Sequence, residues 1–376
     1  MGILRFFMEK EKKMIRVVHV LGNLSVGGVE SFIMSIYRQM DRGKIQFDFI
    51  VHRLENEAYR KEIEDLGGRI FILDRLDFKN PLKYIRDLDK ILEDHKEISI
   101  LHCHFRGTEA LILKRAKKHG LMTISHNHGA QNYSKIKSFI RDIFKKDIIK
   151  YSDIRLACSN EAGSNLYGKG KFIKMNNGID LDKYKFSEHI RQKIRKDLSL
   201  TDAYVLMNVG SLSEIKNQEF LISIMPDLLK KDPSLRLLLV GHGPMKDDLK
   251  NLAKELKIEK QVIFYGNSDK VNELLMAADI FLFPSLREGL GIAAIEAQAA
   301  GLVTLLSTGV PADTGLSENA KFIDLDKDKW IRQILDNKDV TRLNNIDQIR
   351  KEGYDIKESA DKLSHIYNNL VSQSNN

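Results

Sequence analysis

The sequence predicts an α/β protein: two similar domains, each a parallel sheet covered on both faces by helices, facing one another across a cleft. Three observations carry this. Short apolar runs alternate with longer amphipathic ones from end to end, the pattern of strand, helix, strand, helix. The series restarts half-way: IRVVHVLGNLSVGGVESFIMSIY begins at Ile15, and YVLMNVGSLSEIKNQEFLISIM begins at Tyr204 in the same strand–loop–helix manner. Between them NNGIDLDKYKFSEHIRQKIRKDLSL is polar and charged, with Asn177–Gly178 as a turn signal and a linker expected over 178–202.

In order, the first series of expected strands is Ile15–Leu21, Phe47–Val51, Arg69–Leu73, Ile98–His104, Met122–Ser125, Ile154–Ser159 and Phe172–Met175. The second is Tyr204–Val209, Leu235–Val240, Val262–Tyr265, Ile280–Phe283, Val303–Ser307 and Lys321–Ile323. Helical periodicity fills the gaps, as in PLKYIRDLDKILEDH and QEFLISIMPDLLKKD. The expected division is 14–185, 186–345 and a last helix within 346–376 packing back on the first domain. Residues 1–13 read as an extension before the fold begins, with weak membrane contact as the other reading.

Composition narrows the function classes. The chain has 376 residues, 43% hydrophobic and 30% charged, enough for two sizeable cores. Its net charge of +8 suits an anionic ligand or surface. The basic residues are dispersed and no nucleic-acid motif is present, so no nucleic-acid partner is expected. Two cysteines, Cys103 and Cys158, imply no disulfide framework or cysteine-rich zinc site, and point to a reducing cytoplasm. No apolar run approaches the roughly 20 residues of a spanning helix.

In open α/β sheets ligands sit at the carboxyl ends of strands, so the chemistry is sought in the loops that follow them. GNLSVGGVE (22–30) places Gly27 and Gly28 before a helix, where backbone can approach an anion closely; a plain structural turn is the other reading. SHNHG (125–129) offers His126 and His128 as acid/base groups, hydrogen-bond donors or metal ligands. A metal would need His102 and His104 to converge with them, and a substrate contact is the favoured reading. GSLSEIKN (210–217) puts Lys216 near a helix start, where it could meet a phosphate or lie solvated.

REGLGIAAIEAQAAG (287–301) carries the sharpest pattern. Glu288 and Glu296 are separated by seven uncharged residues. The helix is expected to begin near Gly291, burying Ile292, Ile295 and Ala299. Glu296 then lies in its second turn, a few rises of about 1.5 Å from the start. Glu288 stays in the loop, beside Arg287, and the amides of Gly289, Leu290 and Gly291 would point at an anion between the two carboxylates.

Together these loops resemble retaining glycosyltransferases of family 4, which have the GT-B fold of two Rossmann-like domains. The resemblance covers nearly the whole chain after residue 14, through GGVE, SNEAGSNLYG…NNGID, the loop with Lys216 and the E-x7-E of EGLGIAAIEAQAAG. These stretches look most like enzymes of capsular or exopolysaccharide synthesis. The resemblance implies that Glu288 contacts the donor sugar, Glu296 the ribose and Lys216 the diphosphate. It implies that Gly27 and Gly28 close on the donor, and that His126, with His128 as rival, meets the sugar near its anomeric carbon. One position departs: the family's arginine after Gly210 is Ser211 here. That removes a charge-assisted contact of about 1.5–3 kcal/mol, for which Arg287 could compensate.

The resulting expectation is a cytoplasmic, metal-independent glycosyltransferase without a cofactor, moving sugar from a nucleotide-diphospho-sugar donor to a saccharide or lipid-linked acceptor. Lys135–Lys150, KIKSFIRDIFKKDIIK, reads as an interfacial helix for the inner membrane surface or as an ordinary packed helix. The alternatives are a GT-B epimerase or phosphorylase, or a non-catalytic nucleotide-sugar-binding subunit.

Overall fold

The computed structural model describes residues 14–25, 27–52, 58–77, 79–104, 108–129 and 144–374. The chain divides into two compact units, residues 1–176 with 356–376, and residues 177–355. Residues 1–13 and most of Lys135–Lys150 lie outside the described residues.

The first unit is a seven-stranded sheet in the order β3-β2-β1-β4-β5-β6-β7. Its strands are β1 (Ile15–Leu21), β2 (Ile45–Val51), β3 (Ile70–Ile72), β4 (Ile98–Cys103), β5 (Met122–Asn127), β6 (Ile154–Ala157) and β7 (Ile173–Lys174). All its neighbours pair in parallel. Between them run α1 (Gly28–Gln39), α2 (Arg60–Asp65), α3 (Pro81–Asp94), α4 (Glu109–Lys118), α5 (144–151) and α6 (Asn160–Tyr167). The strands are apolar almost throughout because both faces are covered. Val17, Ile100 and Ile124 pack on the face of α1; Val18, Leu101 and Cys103 pack on the face of α3 and α4.

The second unit is a six-stranded parallel sheet in the order β10-β9-β8-β11-β12-β13. It starts with a 3-10 turn, Leu181–Tyr184, and α7 (Glu188–Asp197), followed by β8 (Tyr204–Val209), α8 (Gln218–Lys231), β9 (Leu235–Val240), α9 (Lys246–Glu255) and β10 (Val262–Gly266). Then come α10 (Val271–Ala277), β11 (Ile280–Phe283), α11 (Ile292–Ala299), β12 (Val303–Ser307), β13 (Ala320–Ile323), α12 (Lys327–Asp336) and α13 (Ile346–Lys351). Asp326 accepts the Lys329 amide and caps α12.

The segment expected to hold one last helix, 346–376, holds two. Gly353 takes a left-handed φ of 78° and stops α13. The chain then pairs Ile179 with Asp355 in the second unit and re-enters the first as α14 (Ile356–Ser374). Ile356, Ala360, Leu363, Tyr367 and Leu370 form its buried stripe against α1 and the sheet. Each fully buried Leu or Ile there contributes about 1.5–3 kcal/mol, which holds the chain's end on its first half.

Candidate active site

In the second sheet the strand order reverses at β8, which has β9 on one side and β11 on the other. Ligands of open α/β sheets bind at such a switch point. The two loops leaving it are tied together. The loop after β8 turns through Glu214–Lys216, and the Leu286 amide donates to Ile215 O at 2.8 Å. Asn217, in a left-handed conformation at the start of α8, donates to Pro284 O at 3.2 Å. These bonds bring Lys216 against Glu288: Nζ donates to Oε1 at 2.5 Å, and the ammonium also lies 5.2 Å from the centre of the Phe283 ring.

Glu288 is fixed at its own amide, which donates to Gly309 O at 3.2 Å. Gly291 takes φ 78° and starts α11 at Ile292, one residue from the expected start. Any other residue there would strain the backbone and crowd Phe283. The amides of Gly289, Leu290 and Gly291 have no protein acceptor among the described residues. Leu290 itself is buried, its carbonyl accepting from Thr314 Oγ1. The arrangement therefore sets free N–H groups at a helix start between two carboxylates and beside a lysine, which suits an anion.

Glu296 is partly buried in the second turn of α11 and accepts from Tyr184 Oη at 2.6 Å. Burial raises its carboxyl to about 7, against the opposing Tyr184 bond. Tyr184 was not singled out in the sequence, where KYKF carries no signal for it. It arrives from the 3-10 turn at the start of this unit.

Ser211 is exposed, with its hydroxyl 3.3 Å from Ser213 Oγ. Its carbonyl accepts from the buried Gln218 side chain at 3.1 Å, so the backbone at this position is held although the side chain is short. Arg287 makes no hydrogen bond or ion pair among the described residues. The loop after β9 presses on the same place: a side chain at Gly241 would lie 2.0 Å from Gly210 O. Only glycine permits that approach.

The first sheet reverses between β1 and β4. Gly27 stands at the start of α1 after β1; the chain bends so that a Cβ there would meet Glu30 Oε2 at 2.5 Å. Gly28 has open space around its Cα. The histidines converge more fully than expected. Side chains two apart along extended chain share a face, so His102 of β4 with His104 just after it, and His126 of β5 with His128 just after it, line up with His19 of β1. His19 Nδ1 lies 2.9 Å from His104 Nε2, and His104 Nδ1 lies 2.8 Å from His128 Nε2. His102 Nε2 lies 3.2 Å from His126 Nδ1, and His102 Nδ1 lies 2.7 Å from Tyr367 Oη on α14. His19 and Tyr367 had no sequence signal of their own.

Burial is the main reason that four of these rings, those of His19, His102, His104 and His126, stay neutral. It lowers His19 to about 3, and it pushes His102, His104 and His126 well below the ordinary imidazole value, helped by their mutual repulsion. Two groups have geometry that could hold a metal ion, His19 with His102 and His104, and His104 with His126 and His128; in each the ligand atoms lie within 4.8 Å of one another. The pairings above already use most of those nitrogens with one another.

Sequence comparison supplies the family. A model described as glycosyl transferases group 1 matches residues 190–322, and one described as glycosyltransferase family 4 matches residues 26–183. The chain belongs to glycosyltransferase family 4. A Bacillus subtilis (strain 168) protein named as a glycosyltransferase, EpsF, is 29% identical over 80% of this chain and 82% of its own length. The Staphylococcus aureus capsular polysaccharide biosynthesis glycosyltransferase CapH is 25% identical over 94% of this chain and 99% of its length. An Escherichia coli UDP-Gal:alpha-D-GlcNAc-diphosphoundecaprenol alpha-1,3-galactosyltransferase is 23% identical over 97% and 99%. Among solved structures, Anabaena HepE in complex with UDP superposes with a TM-score of 0.79 at 15% identity, covering 95% of this chain and 100% of that one. That likeness shows the GT-B fold. The family 4 glycosyltransferase described here thus carries, on its second unit, the E-x7-E loop and Lys216 at one switch point. No helix among its described residues is long and apolar enough to cross a membrane.

Proposed function

We propose that this glycosyltransferase takes its sugar from a nucleotide-diphospho-sugar and transfers it, with retention, to a saccharide or lipid-linked acceptor in surface polysaccharide synthesis. The observation that carries the donor reading is the meeting of Lys216, Glu288 and the free amides of Gly289–Gly291 at the switch point of the second sheet. A diphosphate fits the amides and the Lys216 ammonium. Glu288 would turn to the donor sugar once phosphate competes for its lysine, and Glu296 reaches the ribose hydroxyls. The Escherichia coli relative's name includes both UDP-Gal and a diphosphoundecaprenol acceptor, and HepE binds UDP; both support this choice of donor and acceptor.

In the chemistry, negative charge develops on the leaving diphosphate, and groups aimed there before the reaction contribute most to rate. The amides, and Lys216 once the phosphate has displaced Glu288 from it, supply that field. Retention is assigned, as the family resemblance implies, to a front-face transfer in which the leaving phosphate takes the acceptor proton. On the first unit, Gly27 and Gly28 offer close backbone approach and His126 a ring nitrogen to the sugar, with His128 beside it.

The deciding experiment is a thermal-shift screen of nucleoside diphosphates and nucleotide sugars, followed by turnover of each hit with a polyprenyl-diphosphate-linked saccharide. Stabilisation by at least one nucleoside diphosphate and transfer from its sugar are expected. No shift with any of them would refute the donor reading. A shift with no transfer would favour a binding subunit, and sugar interconversion without acceptor an epimerase.

A further inference from the structure

We infer that Tyr367 and His102 are positioning residues that fix His126 as a hydrogen-bond donor through Nε2, an inference that rests on the sugar-facing role proposed for His126. Three groups form one line: Tyr367 Oη, 2.7 Å from His102 Nδ1, then His102 Nε2, 3.2 Å from His126 Nδ1. Beyond it His126 Nε2 is buried and has no partner among the described residues.

Each neutral imidazole carries one N–H, so the line can run only two ways. In the first, the phenol donates to His102 Nδ1, His102 Nε2–H donates to His126 Nδ1, and His126 carries its proton on Nε2. The one unmet group is then that terminal N–H. In the second, His126 Nδ1–H donates to His102 Nε2, and His102 Nδ1–H donates to the phenol oxygen. The phenol proton then has nowhere to go, because His102 is the only partner of Tyr367 Oη among the described residues, and His126 Nε2 is an unmet acceptor as well. Two buried groups are left unpaired instead of one. Buried donors without acceptors are rare because desolvation is not repaid, so the first direction prevails.

The orphan His126 Nε2–H is then the place for an oxygen of the sugar, and the last helix has a chemical task. α14 holds Tyr367, fully buried, against His102, with the Phe47 ring edge-on at 6.1 Å. The phenol stays protonated there because burial raises it well above its ordinary value. His126 serves in this state as a donor and not as a general base.

The test reads the tautomer directly. Histidine-selective 15N labelling and long-range 1H–15N spectra at pH 7.5, with His126 assigned by its loss in His126→Gln, should show His126 protonated at Nε2. Tyr367→Phe, which keeps the ring, should mix the tautomers and lower kcat about tenfold with the donor KM unchanged. His102→Leu should do the same. His102→Gln, whose amide can accept from the phenol and donate to His126, should restore the wild-type tautomer and kcat within threefold. Protonation of His126 at Nδ1 in the wild type would overturn the inference. So would an unchanged tautomer in Tyr367→Phe, whatever its turnover, or a stoichiometric metal ion on these rings in the purified protein. The tautomer is read without substrate, so a failed nucleotide screen would bear on the donor reading alone.

Discussion

Lys216 Nζ and Glu288 Oε1 meet at 2.5 Å, so the lysine expected to hold a diphosphate and the glutamate expected to hold a sugar hold one another. The Glu288 side chain is 9% exposed and that of Lys216 23%. Each keeps the other's charge paired while the ligand site is open. Donor binding then exchanges one partner for another, rather than bringing a bare buried charge into play.

The pair predicts opposite effects on binding and transfer. Lys216→Ala should weaken nucleoside diphosphate binding roughly 10- to 100-fold, the scale of a lost charge-assisted bond. Glu288→Ala should leave that affinity within about threefold yet lower kcat about a hundredfold or more. Calorimetric titration with the diphosphate beside single-turnover kinetics separates the two. Equal losses of affinity in both variants would contradict the assignment.

Glu296 predicts a pH dependence. Its folded carboxyl sits near 7, above the ordinary value of 4.5. The fold therefore binds a proton that the unfolded chain has released between those values, and stability falls as pH rises through that window. Glu296→Gln keeps an acceptor for Tyr184 but cannot ionise. It should match the wild type in stability at pH 4 and exceed it at pH 8 by about 1–3 kcal/mol, read from thermal melts at each pH. It should also weaken nucleotide binding, since a carboxylate accepts ribose hydroxyls better than an amide does. Identical pH profiles of the two proteins would refute the first part.

Ser211 predicts a gain of function. Its backbone is already held by Gln218, and its side chain is exposed. Ser211→Arg should therefore fit without strain and tighten donor binding about 3- to 30-fold, with the gain lost at high salt. Arg287→Ala should cost a similar factor if Arg287 supplies the missing charge. Titrations at 50 mM and 500 mM salt check both.

Arg342 predicts the largest structural loss. Its guanidinium donates to Ala300 O at 2.6 Å, Leu275 O at 2.7 Å, Met276 O at 2.9 Å and Ala278 O at 2.6 Å, closing the last turns of α10 and α11. Burial lowers it to about 9, so it stays charged at neutral pH. Arg342→Met would leave those carbonyls short of donors and should destabilise the second unit by about 2–4 kcal/mol. Urea unfolding followed by Trp330, buried in that unit, measures it.

Both parallel sheets were legible in the sequence, because buried parallel strands must be apolar and each is followed by a helix of its own period. The E-x7-E loop was legible for a local reason too. Gly291 permits the left-handed start of α11, and helix rise then places Glu296 relative to Glu288. The break at Gly353 was not, since helical periodicity continues on either side of it and one residue's φ ends α13.

What the sequence by itself determined, then, is most of what neighbours along the chain fix: strand faces, helix starts, the glycines that let loops close. What only the tertiary structure decided is which distant side chains share a space. Lys216 meets Glu288 because β8 and β11 are adjacent in the sheet although 72 positions separate the two residues. Tyr184 meets Glu296 across 112, and Tyr367 meets His102 across 265. Those pairings come from strand order and from the helix that returns to the first unit, and periodicity carries no information about either. They also govern the charge, the proton position and the pKa of the groups that the sequence had already named.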